Sequence, residues 1–168
     1  MNLTREPAMP PAISLIGSPK ATSAPLVPAR LRRRDDAIAL DLLEGYGRRG
    51  GLATGDELAL RLREHWRQPI SVVARWVVAR KVISFGWRGQ LLLPLFQFEF
   101  PRGNPHPGVV EAAMALHETM DELAVAAWFL RPQPWLGGAA PADRVVDDPR
   151  AVVEAALAWR PPTLERCG

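Results

Sequence analysis

The side chains that most often carry catalysis are few and scattered in this chain. The three histidines, His65, His106 and His117, fall in separate predicted elements, and neither H-E-x-x-H nor a Cys/His spacing suited to a metal occurs. His117 lies on an apolar helix face, which indicates a core histidine with satisfied hydrogen bonds. The single Cys167 lies beside the C-terminus, a position that does not hold a nucleophile in a fixed geometry. We therefore expect no enzyme, metal or cofactor.

Two pairs of neighbouring carboxylates, Asp35-Asp36 and Asp147-Asp148, each precede a predicted helix. A catalytic acid-base pair needs two carboxyl groups in contrasting environments, which adjacent residues at a helix start rarely have. Carboxylates at that position instead accept hydrogen bonds from the free amides of the first turn. Both pairs are interpreted as helix caps.

The stretch Gly45-Tyr46-Gly47-Arg48-Arg49-Gly50 has the spacing G-x-G-x-x-G. A dinucleotide-binding loop of that spacing follows a strand and opens a helix. Here a helical pattern precedes the glycines and a further glycine, Gly51, follows them. The stretch is therefore interpreted as a flexible linker.

Composition describes a soluble globular protein of 168 residues, with 48% hydrophobic and 23% charged residues and a net charge of +3. The longest apolar runs, such as Ile70 to Val78, are too short and too interrupted to span a bilayer. Prolines interrupt the first twenty residues where a secretory signal needs an apolar core, and a lone cysteine agrees with a reducing compartment. We expect a cytoplasmic protein with no membrane contact.

The N-terminal residues 1–34 are rich in proline and end in a basic cluster of arginines, which indicates a disordered basic tail. The cluster either contacts phosphates or simply keeps the tail solvated. A helix is then predicted to start at Asp35-Asp36 and to end at Gly45.

Residues 35–100 are predicted to contain a helix-turn-helix unit. Thr54 and Glu57 have the spacing of a capping box, and a turn at Arg67-Gln68-Pro69 precedes a second helix capped by Ser71. That helix is predicted to be apolar on its inner side and basic on its outer side. Two short helices across a tight turn are the outline of a reader of the DNA major groove.

A β-hairpin is predicted directly after the second helix, with strands Val82–Trp87 and Gln90–Leu93 joined by Arg88-Gly89. The order helix, turn, helix, hairpin resembles the small winged-helix modules of the excisionase and MerR kind. The alternative is that the unit is only the hydrophobic base of a helical domain. The residues predicted to contact DNA are Arg75, Arg80, Lys81 and Arg88.

The following segment, Pro94 to Pro101, is aromatic and is predicted to be extended, with its phenylalanines packed between the two halves of the chain. Residues 101–160 are predicted to form a helical, bundle-like C-terminal domain. Its helices begin after Pro107, at a second capping box of Thr119 and Glu122, and at Pro149. Residues 161–168 form a C-terminal tail. The predicted fold class is mainly α, with a winged-helix-like N-terminal module that contains the hairpin.

Between two of these helices lies a connector that carries Trp135-Leu136 as apolar anchors. Gly137 and Gly138 permit backbone angles that are closed to other residues, and Pro141 suits the first position of a helix. The connector has no side chain suited to bond-making. It therefore indicates a contact surface or a packing corner.

The C-terminal pattern W-F/L-x-x-P-x-x-x-L-G-G-x-x-P, followed by an apolar pair and V-V-x-A-A, resembles the toxin-binding domain of the Xre/MbcA/ParS antitoxin family. The stretch from Trp87-Arg88-Gly89 to Pro94-Leu95-Phe96-Gln97-Phe98 is similar to a segment of relatives with an upstream DNA-binding module. The residues that match the C-terminal pattern are Trp128, Leu130, Leu136, Gly137, Gly138, Pro141, Val145, Val146, Val152, Val153, Ala155 and Ala156.

This resemblance implies an antitoxin that binds a RES-domain toxin, an NAD-consuming enzyme, and covers its active site. It further implies operator DNA as a second partner and a homodimer or a toxin–antitoxin hetero-oligomer as the assembly. The candidate toxin-binding residues are Arg131, Trp135, Arg160, Leu164 and Arg166, while Gly137, Gly138 and Pro141 shape the connector. The alternative function is a stand-alone transcriptional regulator whose C-terminal domain only dimerises.

Overall fold

The computed structural model describes residues 29–159, with side chains from residue 33 onwards. This part of the chain is mainly α-helical with a small antiparallel sheet, which confirms the predicted fold class. No helix within it is long and apolar enough to cross a membrane. Most of the predicted N-terminal tail, residues 1–28, and the predicted C-terminal tail lie outside the described residues.

The N-terminal half of the described chain contains three helices and three strands. In chain order they are α1 (Ala29–Gly47), β1 (Leu52–Thr54), α2 (Gly55–Leu62), α3 (Pro69–Val78), β2 (Phe85–Trp87) and β3 (Gln90–Pro94). The C-terminal half follows. It contains a 3-10 turn (Leu95–Gln97), β4 (Phe98–Glu99), β5 (Asn104–Pro105), α4 (Pro107–Leu116), α5 (Glu122–Leu130), a second 3-10 turn (Pro134–Leu136), α6 (Pro141–Arg144) and α7 (Pro149–Ala158).

The three-stranded sheet has β3 in its centre, between β1 and β2, and both pairings are antiparallel. The hairpin of β2 and β3 confirms the prediction, and Arg88 and Gly89 both have positive φ, as a two-residue hairpin turn requires. β1 was not predicted, because three residues carry little strand signal of their own. With β1 included, the element order is that of a winged-helix module.

The first helix differs from its prediction at both ends. α1 starts at Ala29, so residues 29–34 are helical and do not belong to a disordered tail, and Asp35-Asp36 lie inside the helix and do not cap it. Alanine and arginine are strong helix formers, and the stretch from Ala29 to Gly47 contains no proline that would interrupt a helix. α1 also continues through Gly45 to Gly47.

The G-x-G-x-x-G stretch is a structural junction, and the prediction of a flexible linker is wrong. A Cβ atom on Gly45 would lie 2.5 Å from Cδ1 of Leu130, so glycine allows α1 to approach α5 closely. Arg49 donates two hydrogen bonds to the Asp143 carboxylate on α6, at 2.5 and 2.7 Å. The Arg49 guanidinium also lowers the pKa of Asp143 below its usual value.

Two hydrophobic clusters fill the interior. The larger cluster joins Tyr46 of α1 and Phe85 of β2 to the helices α4, α5 and α7, while the smaller one lies between α2, α3 and β3. The Tyr46 hydroxyl donates a 2.8 Å hydrogen bond to the Ala126 carbonyl oxygen, and its ring stacks on Phe96 at 5.7 Å. Residues on both sides of position 100 therefore share one core.

Several helix starts were predicted correctly and others were not. The capping box of Thr54 and Glu57 and the Asp148 cap of α7 are confirmed. α3, however, starts at Pro69 without a side-chain cap, so Ser71 lies inside it. The cap of α5 is Asp121, whose carboxylate accepts from the Ala124 amide at 2.8 Å, and the predicted Thr119–Glu122 box is not formed.

The aromatic segment after β3 forms a 3-10 turn and a short strand, and does not remain extended as predicted. Gln97 in this turn is 0% exposed. Its side chain accepts from the Ile83 amide at 2.7 Å and donates to the carbonyls of Ile83 and Pro94 at 2.8 and 2.9 Å. One buried amide thus satisfies three backbone groups and attaches the turn to the residues before β2.

We expect Gln97→Leu to lower the free energy of unfolding by about 3 kcal/mol, since it leaves those three backbone groups buried without partners. Gln90→Leu, at an exposed position on β3, serves as the matched control and should change stability by less than about 0.5 kcal/mol. Urea denaturation followed by tryptophan fluorescence measures both. Equal stabilities of the two variants would contradict the structural role of Gln97.

Candidate partner-binding surface

The connector after α5 presents one tryptophan to solvent. Trp135 is 70% exposed, whereas its neighbour Leu136 is only 8% exposed and packs into the larger core. Of the two predicted apolar anchors, therefore, only Trp135 is available to a partner, and Leu136 fixes the base of the turn.

Backbone hydrogen bonds hold the connector in one shape. Gly137 and Gly138 have φ values of 65° and 81°, where a side chain is strained. The Gly138 amide donates to the Gln133 carbonyl oxygen, and the Gln133 amide donates to the Ala139 carbonyl oxygen, each at 3.0 Å. α6 then starts at Pro141, as predicted. The predicted role of these residues as a connector agrees with this geometry.

The Trp135 indole stands beside a shallow groove on α7. The groove has a volume of about 250 Å³ and is lined by Trp135, Ala151, Glu154, Ala155 and Ala158. The small side chains of α7 leave the groove open next to the indole. A partner side chain can therefore contact the tryptophan and the helix together.

A larger cleft, of about 580 Å³, lies between the start of α1, α5 and the connector. Its apolar lining includes Ile38, Leu123 and Trp128, and its charged lining includes Asp121 and Arg131. Trp159, the last described residue, also lines the cleft. Among the predicted toxin-binding residues, Arg160, Leu164 and Arg166 lie outside the described residues.

Arg131 ends α5 and is exposed, and it forms no ion pair with any described residue. Its carbonyl accepts a 3.4 Å hydrogen bond from the buried Gln133 side chain, which also reaches the Trp128 carbonyl at 3.5 Å. The backbone at Arg131 is thus fixed while its charge remains available. Arg131 and Trp135 lie on the same short connector, one facing the cleft and the other the α7 groove.

The predicted DNA-binding residues differ in the contacts that they make. Arg75 is exposed on α3, with its Nε 3.4 Å from the Ser71 carbonyl oxygen. Lys81 is exposed just after α3. Arg88 is exposed at the hairpin turn, with its guanidinium carbon 5.0 Å from the centre of the Trp87 ring. These three cations face solvent.

Arg80 is held differently from the other three. Its backbone has a φ of 54°, in the left-handed region. The Arg80 amide donates to the Val77 carbonyl and the Lys81 amide donates to the Trp76 carbonyl, and these two bonds close the C-terminal end of α3. The Arg80 guanidinium donates to the His117 carbonyl at 3.4 Å and lies 3.8 Å from the Glu122 carboxylate. Arg80 therefore joins α3 to the C-terminal helices.

The outer side of α3 is mainly apolar, so the prediction of a basic outer side is wrong. Ile70 is 65% exposed and Val78 is 84% exposed, with the exposed Ala74 between them. Arg75 is the only charged residue within α3. We call Ile70, Ala74 and Val78 the α3 outer ridge. The spacing of Ile70, Ala74 and Val78 by four residues is the signal in the sequence that indicates this second apolar face.

His117 is buried, as predicted, and its Nδ1 atom has no hydrogen-bond partner in the described part of the chain. It lines a pocket of about 400 Å³ together with Arg80, Ser84 and Glu122. Burial lowers the pKa of His117, and the nearby Arg80 charge lowers it further. Within residues 29–159 no group of His, Cys, Asp and Glu side chains is arranged to hold a metal ion.

No family model, curated protein or solved structure was found to match this chain. The resemblance to the Xre/MbcA/ParS antitoxins therefore remains a prediction from the residues quoted above.

The lowered pKa of His117 predicts a loss of stability in acid. The pKa of His117 in the folded chain lies below its ordinary value of 6.5. Between these two pKa values, the folded chain binds fewer protons at this histidine than the unfolded chain does. Its favourable contribution is complete above about pH 6.5 and is lost as the pH falls through the lower folded value. His117→Gln should flatten the dependence of the urea midpoint on pH in this window.

His65→Gln, at an exposed histidine, is the matched control and should keep the pH dependence of the natural chain. A slope that is unchanged in His117→Gln would exclude His117 as its source.

Proposed function

We propose that this chain is an antitoxin that binds a RES-domain toxin and neutralises it by covering the site where the toxin consumes NAD. The observation that carries the proposal is the exposed Trp135 on a connector that backbone hydrogen bonds and two left-handed glycines hold in place. The resemblance of residues 128–156 to a toxin-binding domain names the partner.

Trp135 and Arg131 have the properties of interface anchors. Tryptophan and arginine are enriched among residues that dominate binding free energy. A large indole left 70% exposed gains free energy when a partner covers it. Because the connector is already fixed, little conformational entropy is lost when it binds.

The position of Trp159 supports the same surface. Trp159 lines the cleft that Arg131 also lines, and Arg160 is the next residue in the sequence. Arg160, Leu164 and Arg166 supply two cations and one apolar side chain after Trp159. We propose that the toxin contacts Arg131, Trp135 and these three residues together.

We expect Trp135→Ala to weaken toxin binding by about 2–4 kcal/mol, roughly 30-fold to 1,000-fold in Kd, because it removes the central aromatic anchor. Leu60→Ala, at an exposed leucine on α2 away from the connector, is the control and should bind normally. Calorimetric titration against a purified RES-domain toxin measures the affinity, and cellular NAD during coexpression with that toxin measures neutralisation. Unchanged binding and NAD protection in Trp135→Ala, Arg131→Ala and a chain ending at Trp159 would sink the proposal.

A second candidate function, binding to operator DNA, is favoured by the winged-helix order of elements and by the exposed Arg88 at the hairpin turn. A basic hairpin turn is suited to contact with backbone phosphates. If the chain is a stand-alone transcriptional regulator, DNA binding is its principal activity and no RES-type protein binds the connector. Coelution with that protein separates the two functions.

Arg88→Ala and Lys81→Ala should each weaken binding to the promoter DNA, and each should reduce the slope of log affinity against log salt by about 1, since each removes one phosphate contact. Arg150→Ala, at an exposed arginine of α7 that pairs with Glu154, is the control and should leave the slope unchanged. Fluorescence anisotropy at several salt concentrations measures these slopes. DNA binding that is absent, or independent of salt, would exclude this function.

A further inference from the structure

A pocket of about 400 Å³ lies where the end of α3, the hairpin and the C-terminal helices meet. The polar side chains that line it are Arg80, Ser84, His117 and Glu122, and its apolar lining includes Leu91 and Val78 of the α3 outer ridge. A concave site with apolar walls and a few convergent polar groups has the composition of a small-molecule site. Trp135 and Arg131 do not line this pocket, so it is separate from the surface proposed for the toxin.

The Arg80 guanidinium is only loosely held at the pocket. It donates to the His117 carbonyl at 3.4 Å and lies 3.8 Å from the Glu122 carboxylate, whereas a direct charge-assisted hydrogen bond is roughly 2.7–2.9 Å long. The side chains of Arg80 and Glu122 are both about half exposed. Each therefore keeps hydrogen-bonding capacity for a further group, the guanidinium for an anion and the carboxylate for a cation.

The backbone at Arg80 points to the same pocket. Its φ of 54° is unfavourable for arginine, whereas glycine adopts this angle without strain. Strained backbone positions of this kind cluster at ligand-binding sites. Glycine at position 80 would relieve the strain but would also remove the cation that lines the pocket.

The inner wall of the pocket carries two buried polar residues. Ser84 is 5% exposed and supplies a hydroxyl, which can both donate and accept. His117 is 8% exposed, and its Nδ1 atom has no hydrogen-bond partner among residues 29–159. Burial and the Arg80 charge lower the pKa of His117, so its imidazole is neutral at pH 7 and offers one donor and one acceptor. A buried polar atom without a partner favours a ligand that supplies one.

We propose that this pocket binds a free α-amino acid with an aliphatic side chain. The ligand carboxylate accepts from Arg80, its ammonium group donates to Glu122, and its side chain packs against Val78 and Leu91. Both charged groups of an α-amino acid are attached to one carbon atom, so they are close enough together to meet two protein groups that lie 3.8 Å apart. The apolar walls favour an aliphatic side chain because its contact with them removes apolar surface from water.

The pairing of opposite charges favours a zwitterion over a ligand with a single charge. A simple carboxylate at Arg80 would also face the Glu122 carboxylate, and a simple amine at Glu122 would also face the guanidinium. Like charges placed next to each other weaken binding. A zwitterion gives each protein charge an opposite partner and adds no net charge to the pocket.

Titration of the full 15N-labelled chain with L-leucine, followed by 1H–15N correlation spectra, tests the ligand. The amides of Gly86 and His117, which line the pocket, should shift and reach saturation. 4-Methylpentanoate lacks the ammonium group and 3-methylbutylamine lacks the carboxylate, so each should bind at least about tenfold more weakly. The absence of a saturable shift with L-leucine would overturn the proposal. Equal binding of 4-methylpentanoate would also overturn it, because the pocket would then be an anion site only.

Substitutions locate the bound amino acid. Arg80→Gln and Glu122→Gln should each raise the Kd for L-leucine at least about tenfold, since each removes one charge from the pocket. Arg63→Gln, at an exposed arginine that follows α2, is the control and should leave the Kd unchanged. Circular dichroism checks that the variants are folded. If Arg80→Gln does not fold, Glu122→Gln decides, because it keeps the Asp121 cap of α5. Unchanged L-leucine binding in a folded Glu122→Gln chain would place the ligand elsewhere and end the proposal.

Discussion

The close packing of α1 on α5 is the contact on which the rest of the structure depends. Gly45 leaves room for Leu130, and the buried hydroxyl of the next residue, Tyr46, donates to the carbonyl oxygen of Ala126, one turn before Leu130 on α5. Burial raises the pKa of Tyr46 far above its usual value, so the hydroxyl stays neutral and keeps its proton for this bond. α1 and α5 also form two walls of the large cleft, so the same packing that joins the two halves shapes the proposed toxin surface.

Local signals in the sequence predicted the elements that short-range chemistry determines. Thr54 with Glu57, Arg88 with Gly89, and Asp148 with Pro149 each specify a cap or a turn within a few residues, and each is confirmed. Long-range packing determines what the sequence did not show. β1 forms because β3 is there to pair with it, and glycine is required at position 45 by the side chain of Leu130, which is distant along the chain.

The candidate site was likewise predictable only where local signals determine it. The Gly-Gly turn marked the connector, but only the folded chain shows that Trp135 faces solvent while Leu136 faces the core. On α3, the prediction of an apolar inner side agrees with the buried Val72 and Val73, but periodicity could not exclude a second apolar face, since this helix is apolar on two sides. Arg80 looked like a free cation in the sequence, and a left-handed backbone angle turns it towards His117 and Glu122.

A left-handed arginine costs roughly 1 kcal/mol relative to an ordinary helical backbone, a cost that glycine in its place would avoid. In return, its guanidinium spans from the last turn of α3 to the end of α4 and the first turn of α5. Arg80 therefore adds an exposed contact between the winged-helix module and the C-terminal helices, beside the hydrophobic core that the two halves already share.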